Sequence, residues 1–367
     1  IFADVSVFCP KDKIELQEFI KAAKPSSLIA RGMGRSYGDS SQLDQETVIN
    51  LFEFKSIKLD SSVCKVTVGT GVTFDELINY LIPRGFFIPV SPGTRFVTVG
   101  GAIASDVHGK NHHVDGSLGN NIEKILLING EGNLLELKPS NYENSSSADL
   151  FWATVGGMGL TGVIIEATIS LIPISSAFIS VDTKRFNDLD LLMDKMIESD
   201  KKYRYSVAWI DSLNKNFRGV LTCGDHLSDE FLPKSFKGNP LKTDLTSIAS
   251  APNFFPNGLL NKFTIKAFNE AWFRKHPKFK VGEIQTIGKF FYPLDGVQNW
   301  NRIYGPKGFI QYQFVVPENA SYLIKEILET LRKLSVPSFL TVLKRFGSAN
   351  PAYLSFPIPG WTLAIDM

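Results

Sequence analysis

Two glycine-rich segments constrain this chain more than anything else in it: Ala30-Arg-Gly-Met-Gly-Arg-Ser-Tyr-Gly-Asp39 and Val99-Gly-Gly-Ala-Ile-Ala-Ser-Asp-Val-His-Gly-Lys110. Each reads as a turn hung on an apolar strand. Glycine has no Cβ and reaches positive φ cheaply, so successive backbone N–H groups can line one concavity and bind phosphate oxygens. The pattern predicts a site for a large anionic cofactor. Spacing then decides against the helix-opening dinucleotide fingerprint. Gly32, Gly34 and Gly38 follow G-x-G-x-x-x-G, and polar Ser40-Ser-Gln-Leu-Asp44 stands where that fold would begin a helix. Val155-Gly-Gly-Met-Gly-Leu-Thr-Gly162 does contain a literal G-x-G-x-x-G from Gly157. However, β-branched Val163-Ile-Ile-Glu-Ala-Thr-Ile169 follows it as a strand.

With 367 residues, the chain has room for two domains with large cores. Lys plus Arg number 39 against 37 Asp plus Glu, so any nucleic acid or anionic membrane would have to be met by a local patch. Cys9, Cys64 and Cys223 are far apart and odd in number, which fits buried small hydrophobes rather than a disulfide scaffold or a zinc site. No apolar run approaches the roughly 20 residues that span a bilayer. No signal peptide is visible in a sequence that begins at Ile1.

Periodicity predicts short helices and strands in alternation at first. Ile14, Leu16, Phe19, Ile20 and Ala23 share a helical face, as do Phe74, Leu77, Ile78 and Leu81 before Pro83. Ser27–Arg31 and Lys65–Gly69 read as strands, and Gly130-Glu-Gly-Asn133 between two apolar runs reads as a hairpin turn. An α+β domain over residues 1–174 is expected. From 175 onward the unit strand, helix, strand occurs twice. Leu189, Leu192, Met193, Met196 and Ile197 lead to Tyr205–Ile210; Phe309–Val316 and the stripe Leu323, Ile324, Ile327, Leu328 and Leu331 lead to Phe339–Leu343. A second domain over 175–367 is expected, an antiparallel sheet covered by helices on one face, its other face left for a site. Between the two units, about Leu227 to Gly282 reads as a long Pro-, Gly- and aromatic-rich excursion.

Several segments together closely resemble the decaprenylphosphoryl-β-D-ribose 2′-oxidase family, of the vanillyl-alcohol-oxidase (PCMH) type of FAD flavoproteins. They are Arg31–Asp39, Pro92-Gly-Thr-Arg95, Gly100–His113, Gly156–Gly162, Tyr292-Pro-Leu-Asp295, Trp300–Gly305, Gln311-Tyr-Gln-Phe314, Leu343-Lys-Arg-Phe-Gly347 and Leu354–Trp361. The resemblance covers nearly the whole chain, and Asp106-Val-His-Gly-Lys-Asn-His-His113 is its most specific part. It implies an FAD domain, a substrate domain, and oxidation of the ribose 2′-hydroxyl of a polyprenyl-phosphate sugar in arabinan and cell-wall precursor synthesis. It further implies an epimerising keto-reductase partner. A peripheral place at the cytoplasmic or periplasmic face of the inner membrane, with no transmembrane segment, is expected. Members of the family continue with a segment that completes the FAD domain and carries a catalytic Lys and a Tyr near the flavin. No counterpart is found before Met367.

Residue by residue, the resemblance and the glycine turns place Ala30, Arg31, Gly32, Met33, Gly34, Arg35, Ser36, Tyr37, Gly38 and Asp39 around the pyrophosphate and ribityl chain. Gly93, Thr98, Val99, Gly100, Gly101, Ser105, Asp106, Val107 and His108, with Gly162 and Val163, are placed around the rest of the cofactor. Arg35 stands where relatives with covalent flavin have a His, so noncovalent FAD is expected. His108, Lys110 and Lys344 are the expected catalytic residues; Gln311, Gln313, Tyr37 and Phe291 are the expected substrate contacts. Gln311 and Gln313 lie two apart and so share one strand face, where a sugar or solvent could meet their amides. For Lys344 the plain alternative is an exposed strand-end lysine. His108 and His112 stand at i, i+4, yet Gly109 and the preceding β pattern argue against a helix, and no metal is expected.

Lys262, Lys266, Arg274, Lys275, Lys278 and Lys280, interleaved with Phe263, Phe268, Trp272, Phe273 and Phe279, form a basic aromatic patch. No nucleic-acid module accompanies it. It reads either as a surface helix with its aromatics packed inward or as a contact with a membrane surface. Two other functions remain open: an FAD-dependent oxidase of a soluble sugar or alditol, and a noncatalytic nucleotide-binding module.

Overall fold

The computed structural model describes residues 3–140, 145–246 and 249–367. Its chain forms two compact units. The first comprises Ile1–Gly109, Ser117–Ile174 and Asn350–Ser355; the second comprises Lys110–Gly116, Ser175–Ala349 and Phe356–Met367. Periodicity placed one boundary, at 174/175. The structure adds two exchanges, in which seven residues after Gly109 and six after Ala349 belong to the other unit. Apolar spacing within one element carries no information about such returns.

In the first unit, β1 (Ser6–Phe8), β2 (Leu28–Arg31) and β3 (Thr47–Asn50) form a parallel sheet in the order β1-β3-β2. Helix α1 (Lys13–Ala22), capped by the Asp12 carboxylate on the N–H groups of Ile14 and Glu15, covers it with Leu16 and Ile20. A second, antiparallel sheet runs β4 (Ile57–Asp60), β5 (Lys65–Gly69), β8 (Val163–Ser170), β6 (Ile122–Ile128) and β7 (Leu134–Leu137) across its width. Ile49 of β3, Leu51 just after it, Ile128 of β6, and Val163 and Ile165 of β8 close one core under α1. Helix α2 (Phe74–Leu81) begins at a capping box between Thr73 and Glu76, worth about 1 kcal/mol. It buries Phe74, Leu77, Ile78 and Leu81 completely, each worth roughly 1.5–3 kcal/mol, and Pro83 ends it in a 3₁₀ turn. Helices α3 (Val99–Ala104) and α4 (Ser145–Thr154) complete this unit.

The second unit is one seven-stranded antiparallel sheet. Its strands are β9 (Phe178–Phe186), β10 (Tyr205–Ile210), β11 (Gly219–His226), β12 (Phe279–Thr286), β13 (Gln311–Pro317), β14 (Thr341–Phe346) and β15 (Gly360–Asp366), ordered β12-β9-β11-β10-β14-β15-β13. Leu221, Ala208, Leu343, Leu363 and Phe314 stand opposite one another across five strands. They meet Leu189, Leu192 and Met196 of α5 (Leu189–Asp200) and Ile324 and Leu328 of α8 (Tyr322–Lys333) in the core. Two more helices, α6 (Lys262–Lys275) and α7 (Ile287–Phe291), frame β12. The excursion expected over 227–282 is therefore partly regular. It holds the 14-residue α6, and the strand that ends it joins the sheet as an edge, with its exposed Phe279 and Val281 interrupting any alternation readable in sequence.

Candidate active site

In the first unit, β2 delivers the chain into the turn that follows it. Gly34 and Gly38 adopt φ of +59° and +83°, conformations that L side chains rarely take. Among the described residues, the backbone N–H groups of Met33, Gly34, Arg35, Ser36 and Gly38 donate to no other backbone group. Unspent N–H groups on a glycine turn suit phosphate oxygens. The Arg31 guanidinium folds over Gly34, where an added Cβ would lie 2.6 Å from Nη2. A cleft of about 370 Å³ opens beside it, lined by Arg31, Gly32, Met33 and Asn50 together with Val5, Val7, Val48 and Phe52. Tyr37 is half exposed at the tip, Arg35 reaches back toward the Met33 carbonyl at 3.5 Å, and Asp39 accepts from the Gln42 N–H. Ala30 packs on the core under α1. No atom lies within 4 Å of where a Gly93 Cβ would stand, so its surroundings are open.

Gly32 ties this turn to the second glycine segment. A Cβ there would stand 2.1 Å from Thr98 Oγ1. The second segment departs from expectation, because Val99-Gly-Gly is the first turn of α3 rather than a free turn. Thr98 caps it, its Oγ1 accepting from the Gly101 N–H, while Val99 N–H donates to Val72 and Gly100 N–H to Thr70. Those three donors are spent on the protein, so the N–H groups of Val99, Gly100 and Gly101 are not offered to phosphate oxygens in the way those of the first turn are. Gly100 would collide with Thr70 Cβ if it had a side chain.

Ser105 caps the end of α3, and Val107 donates to Ala102. Asp106, at a φ of +41°, is buried. Its Oδ1 accepts from the Gly119 N–H at 2.8 Å, and its Oδ2 accepts from Ser117 Oγ at 2.7 Å, Asn350 Nδ2 at 2.8 Å and Ser355 Oγ at 2.5 Å. This carboxylate is thus a strut that joins Ser117, Gly119, Asn350 and Ser355. His108 follows, half-buried on extended backbone bridged to Ser117. Gly162 and Val163 stand at the start of β8. Gly162 lets β8 approach Ile128, whose carbonyl would lie 2.3 Å from a Cβ, and Val163 sits in the core under α1.

In the second unit, Lys110–Gly116 is pinned from several sides. Lys110 C=O accepts from Ser206 N–H, Arg204 forms a two-pronged pair with Asp115 at 2.8 and 2.7 Å, and His113 Nε2 contacts the Tyr203 carbonyl. His112, weighed above as a ligand, is buried; its Nδ1 accepts from the Gly347 N–H and its ring lies 4.4 Å from that of Phe346. Lys110 Nζ donates to the carbonyls of Phe290 and Phe291, each at 3.0 Å, and sits 5.3 and 5.4 Å from their ring centroids. These are the last carbonyls of α7, left without helical partners and favourable to a cation. No carboxylate among the described residues pairs with Lys110. Burial, with Lys344 nearby as the second cause, pushes its ammonium down to about 7.

Lys344 is not the exposed strand-end lysine of the plain alternative: it is half-buried, and burial pushes it down to about 8. It stands opposite Thr362, on the sheet face away from α5 and α8, because its neighbour Leu343 faces the helices. Gln313 and Gln311, opposite Ala364 and Asp366, share that face. Their amides have protein partners: Gln313 Nε2 donates to Thr362 Oγ1 at 2.9 Å and Gln311 Nε2 to Asp366 Oδ1 at 2.7 Å. Tyr304 OH donates to the other Asp366 oxygen at 2.9 Å, and burial pushes that carboxyl up. Phe291 meets the Tyr205 ring edge-on at 4.8 Å, and Tyr205 OH lies 3.1 Å from His226 Nε2. Burial, with Arg204 second, pushes His226 down to about 4, so it is neutral. Tyr205, His226, Thr362 and Asp366 were not anticipated. Their only signal is period 2 along strands whose pairing the sequence does not state.

The basic aromatic patch splits. Phe273 is buried, with Ile265 and Asn269 on the same face of α6, whereas Phe263, Phe268 and Phe279 are exposed. Inward packing holds for only part of it.

A parallel sheet ending in a glycine turn with unspent N–H groups, in a unit separate from a lysine-bearing antiparallel sheet, defines a flavin-dependent oxidoreductase once sequence relatives are added. The profile of a family described as an FAD binding domain matches residues 6–138. Decaprenylphosphoryl-β-D-ribose oxidase of Mycolicibacterium smegmatis is 42% identical over 344 residues, covering 92% of this chain and 74% of the relative. An uncharacterised protein from the mprA 5′ region of Streptomyces coelicolor is 29% identical over 81% of each chain, and D-lactate dehydrogenase of Archaeoglobus fulgidus is 26% identical over 45% of this chain and 38% of its own. The chain belongs to the decaprenylphosphoryl-β-D-ribose oxidase family of FAD-dependent oxidoreductases. Among the described residues, no helix is long and apolar enough to cross a membrane.

Proposed function

We propose that the protein oxidises the 2′-hydroxyl of a polyprenylphosphoryl-β-D-ribose to the 2′-ketone, a step toward arabinan in the cell wall. The observation that carries this reading is Lys110, which among the described residues meets backbone carbonyls and aromatic rings but no carboxylate, with Lys344 nearby. An anion complements an ammonium so placed, and a phosphodiester-linked sugar supplies one.

FAD suits the turn after β2, with Met33 to Gly38 donating N–H groups to its phosphates and Arg31 adding charge. Arg35 leaves no histidine there for a covalent bond, so the cofactor is held noncovalently. Bound FAD would supply the hydride acceptor for the C2′ carbon. Lys110 and Lys344 bind the phosphate and stabilise charge on the sugar oxygens. Gln311 and Gln313, oriented by Asp366 and Thr362, position hydroxyls, Phe291 supplies an apolar wall, and His108 holds the proton of the reacting hydroxyl. Tyr37 stands at the cofactor turn. The 2′-ketone must then be reduced with inverted configuration, so a keto-reductase partner is part of the reading. A polyprenyl tail also places the enzyme peripherally at the inner membrane.

The test is anaerobic addition of a short-chain prenyl-phosphoryl ribose to the purified flavoprotein. Bleaching of the flavin absorbance is expected. Bleaching by free polyols alone would favour the soluble-sugar oxidase, which family membership does not favour. Persistent colour with both would leave a nucleotide-binding module.

A further inference from the structure

The start of α6 carries large apolar side chains that the protein leaves uncovered. Phe263 is 84% exposed and Phe254, in the preceding loop, 78%. Lys262 Nζ donates to Ser335 Oγ at 3.2 Å, which brings the chain after α8 alongside, and there Leu334 is 70% exposed. The platform beneath is fixed. Ile265 and Phe273 are buried, and Asn269 Nδ2 donates to Asp211 at 2.9 Å and to the Ser338 carbonyl at 3.3 Å. The outward aromatics are therefore presented by a well-anchored helix. The one carboxylate of α6, Glu270, is neutralised by Arg218 at 2.6 Å and by Arg274. Lys262, Lys266 and Lys333 thus leave this end positive.

We infer that the loop around Phe254, the first turn of α6 and Leu334 form a docking surface for an anionic lipid bilayer. The inference rests on the proposed polyprenyl-phosphate substrate, whose tail resides in such a bilayer. Separate apolar tips, Phe263 and Leu334 each next to a lysine in sequence, match the interface of a membrane: the apolar side chains enter the acyl boundary and the ammonium groups meet lipid phosphates. A protein interface would instead gather its apolar residues into a core depleted of charge.

The experiment is cosedimentation of the full FAD-loaded chain with phosphatidylcholine vesicles, alone or with about 30% phosphatidylglycerol. Binding to the anionic vesicles is expected. The double variants Phe263→Ser with Leu334→Ser, and Lys262→Glu with Lys266→Glu, should each weaken it at least about tenfold. Flavin content and turnover of a water-soluble short-chain substrate should stay near wild type. Wild-type protein that binds neither vesicle overturns the inference and leaves the patch to a protein partner; so do variants that bind as tightly as wild type. Vesicle binding without turnover would refute the proposed reaction while supporting the surface.

Discussion

Replacing Asp106 offers the most direct test of how the first unit is held. The carboxylate receives four donors, and two of them have a second acceptor within reach: Ser117 Oγ and Asn350 Nδ2 lie 3.2 and 3.5 Å from Asn120 Oδ1. Gly119 N–H and Ser355 Oγ have only Asp106 as hydrogen-bond acceptor among the described residues. Asp106→Ala strands those two donors in a buried place, at about 1–3 kcal/mol each. It also puts alanine at a positive φ that Asp tolerates better, about 1 kcal/mol more. The sum, about 3–7 kcal/mol, corresponds to roughly 10–20 °C in melting temperature for a unit of this size. Asp106→Asn keeps one acceptor but turns an NH₂ group toward a donor, and should lose about half as much. Thermal unfolding followed by release of flavin fluorescence measures both. A melting point for Asp106→Ala within about 2 °C of wild type would refute the account of this carboxylate as a strut.

Three further outcomes follow from the geometry. Lys110 titrates near 7 in the folded protein against 10.5 ordinarily, so the unfolded chain binds more protons between those values. Its burial therefore costs stability below about 7, and that cost fades as pH rises toward 10.5. For an anionic substrate only the protonated form binds well, so KM should rise as pH passes 7 and then 8, the values of Lys110 and Lys344; a KM flat across that range contradicts the assignment. Lys344→Met should raise KM at least about tenfold while leaving the flavin spectrum alone, and a change confined to kcat would argue for a different role. Gly32→Ala should yield protein largely free of FAD, read from the ratio of flavin to protein absorbance, because its Cβ would stand 2.1 Å from the capping Thr98 Oγ1.

Helices with a clean 3.6 period were legible from sequence. Phe74, Leu77, Ile78 and Leu81 are all buried in α2, and Leu189, Leu192 and Met196 of α5 reach the core as spaced. The hairpin around Gly130-Glu-Gly-Asn133 formed between β6 and β7. What sequence could not show was partnership at a distance. Val99-Gly-Gly became a helix because Thr98 caps it and Val72 and Thr70 take its first N–H groups. Two residues of propensity-poor glycine conceal that. The strand expected from Phe309 starts at Gln311, since Phe309 stacks on Tyr304 at 4.2 Å. For Lys344, spacing alone left an exposed strand-end lysine open as the alternative, because its partial burial depends on which strands flank it. Gln311 and Gln313 shared a face as their spacing required, while their partners, Asp366 and Thr362, lie about 50 residues further along the chain.

The interlacing of the two units limits how this protein can be cut. A fragment ending at Ile174 would retain Asp106 but lose Asn350 and Ser355, two of the four donors on its buried carboxylate. A fragment beginning at Ser175 would lose Lys110, whose ammonium occupies the carbonyls at the end of α7, and Asp115, the partner of Arg204. Each half thus keeps part of the other's wiring. Recombination that swaps the chain at the 174/175 boundary would break both sets of contacts at once.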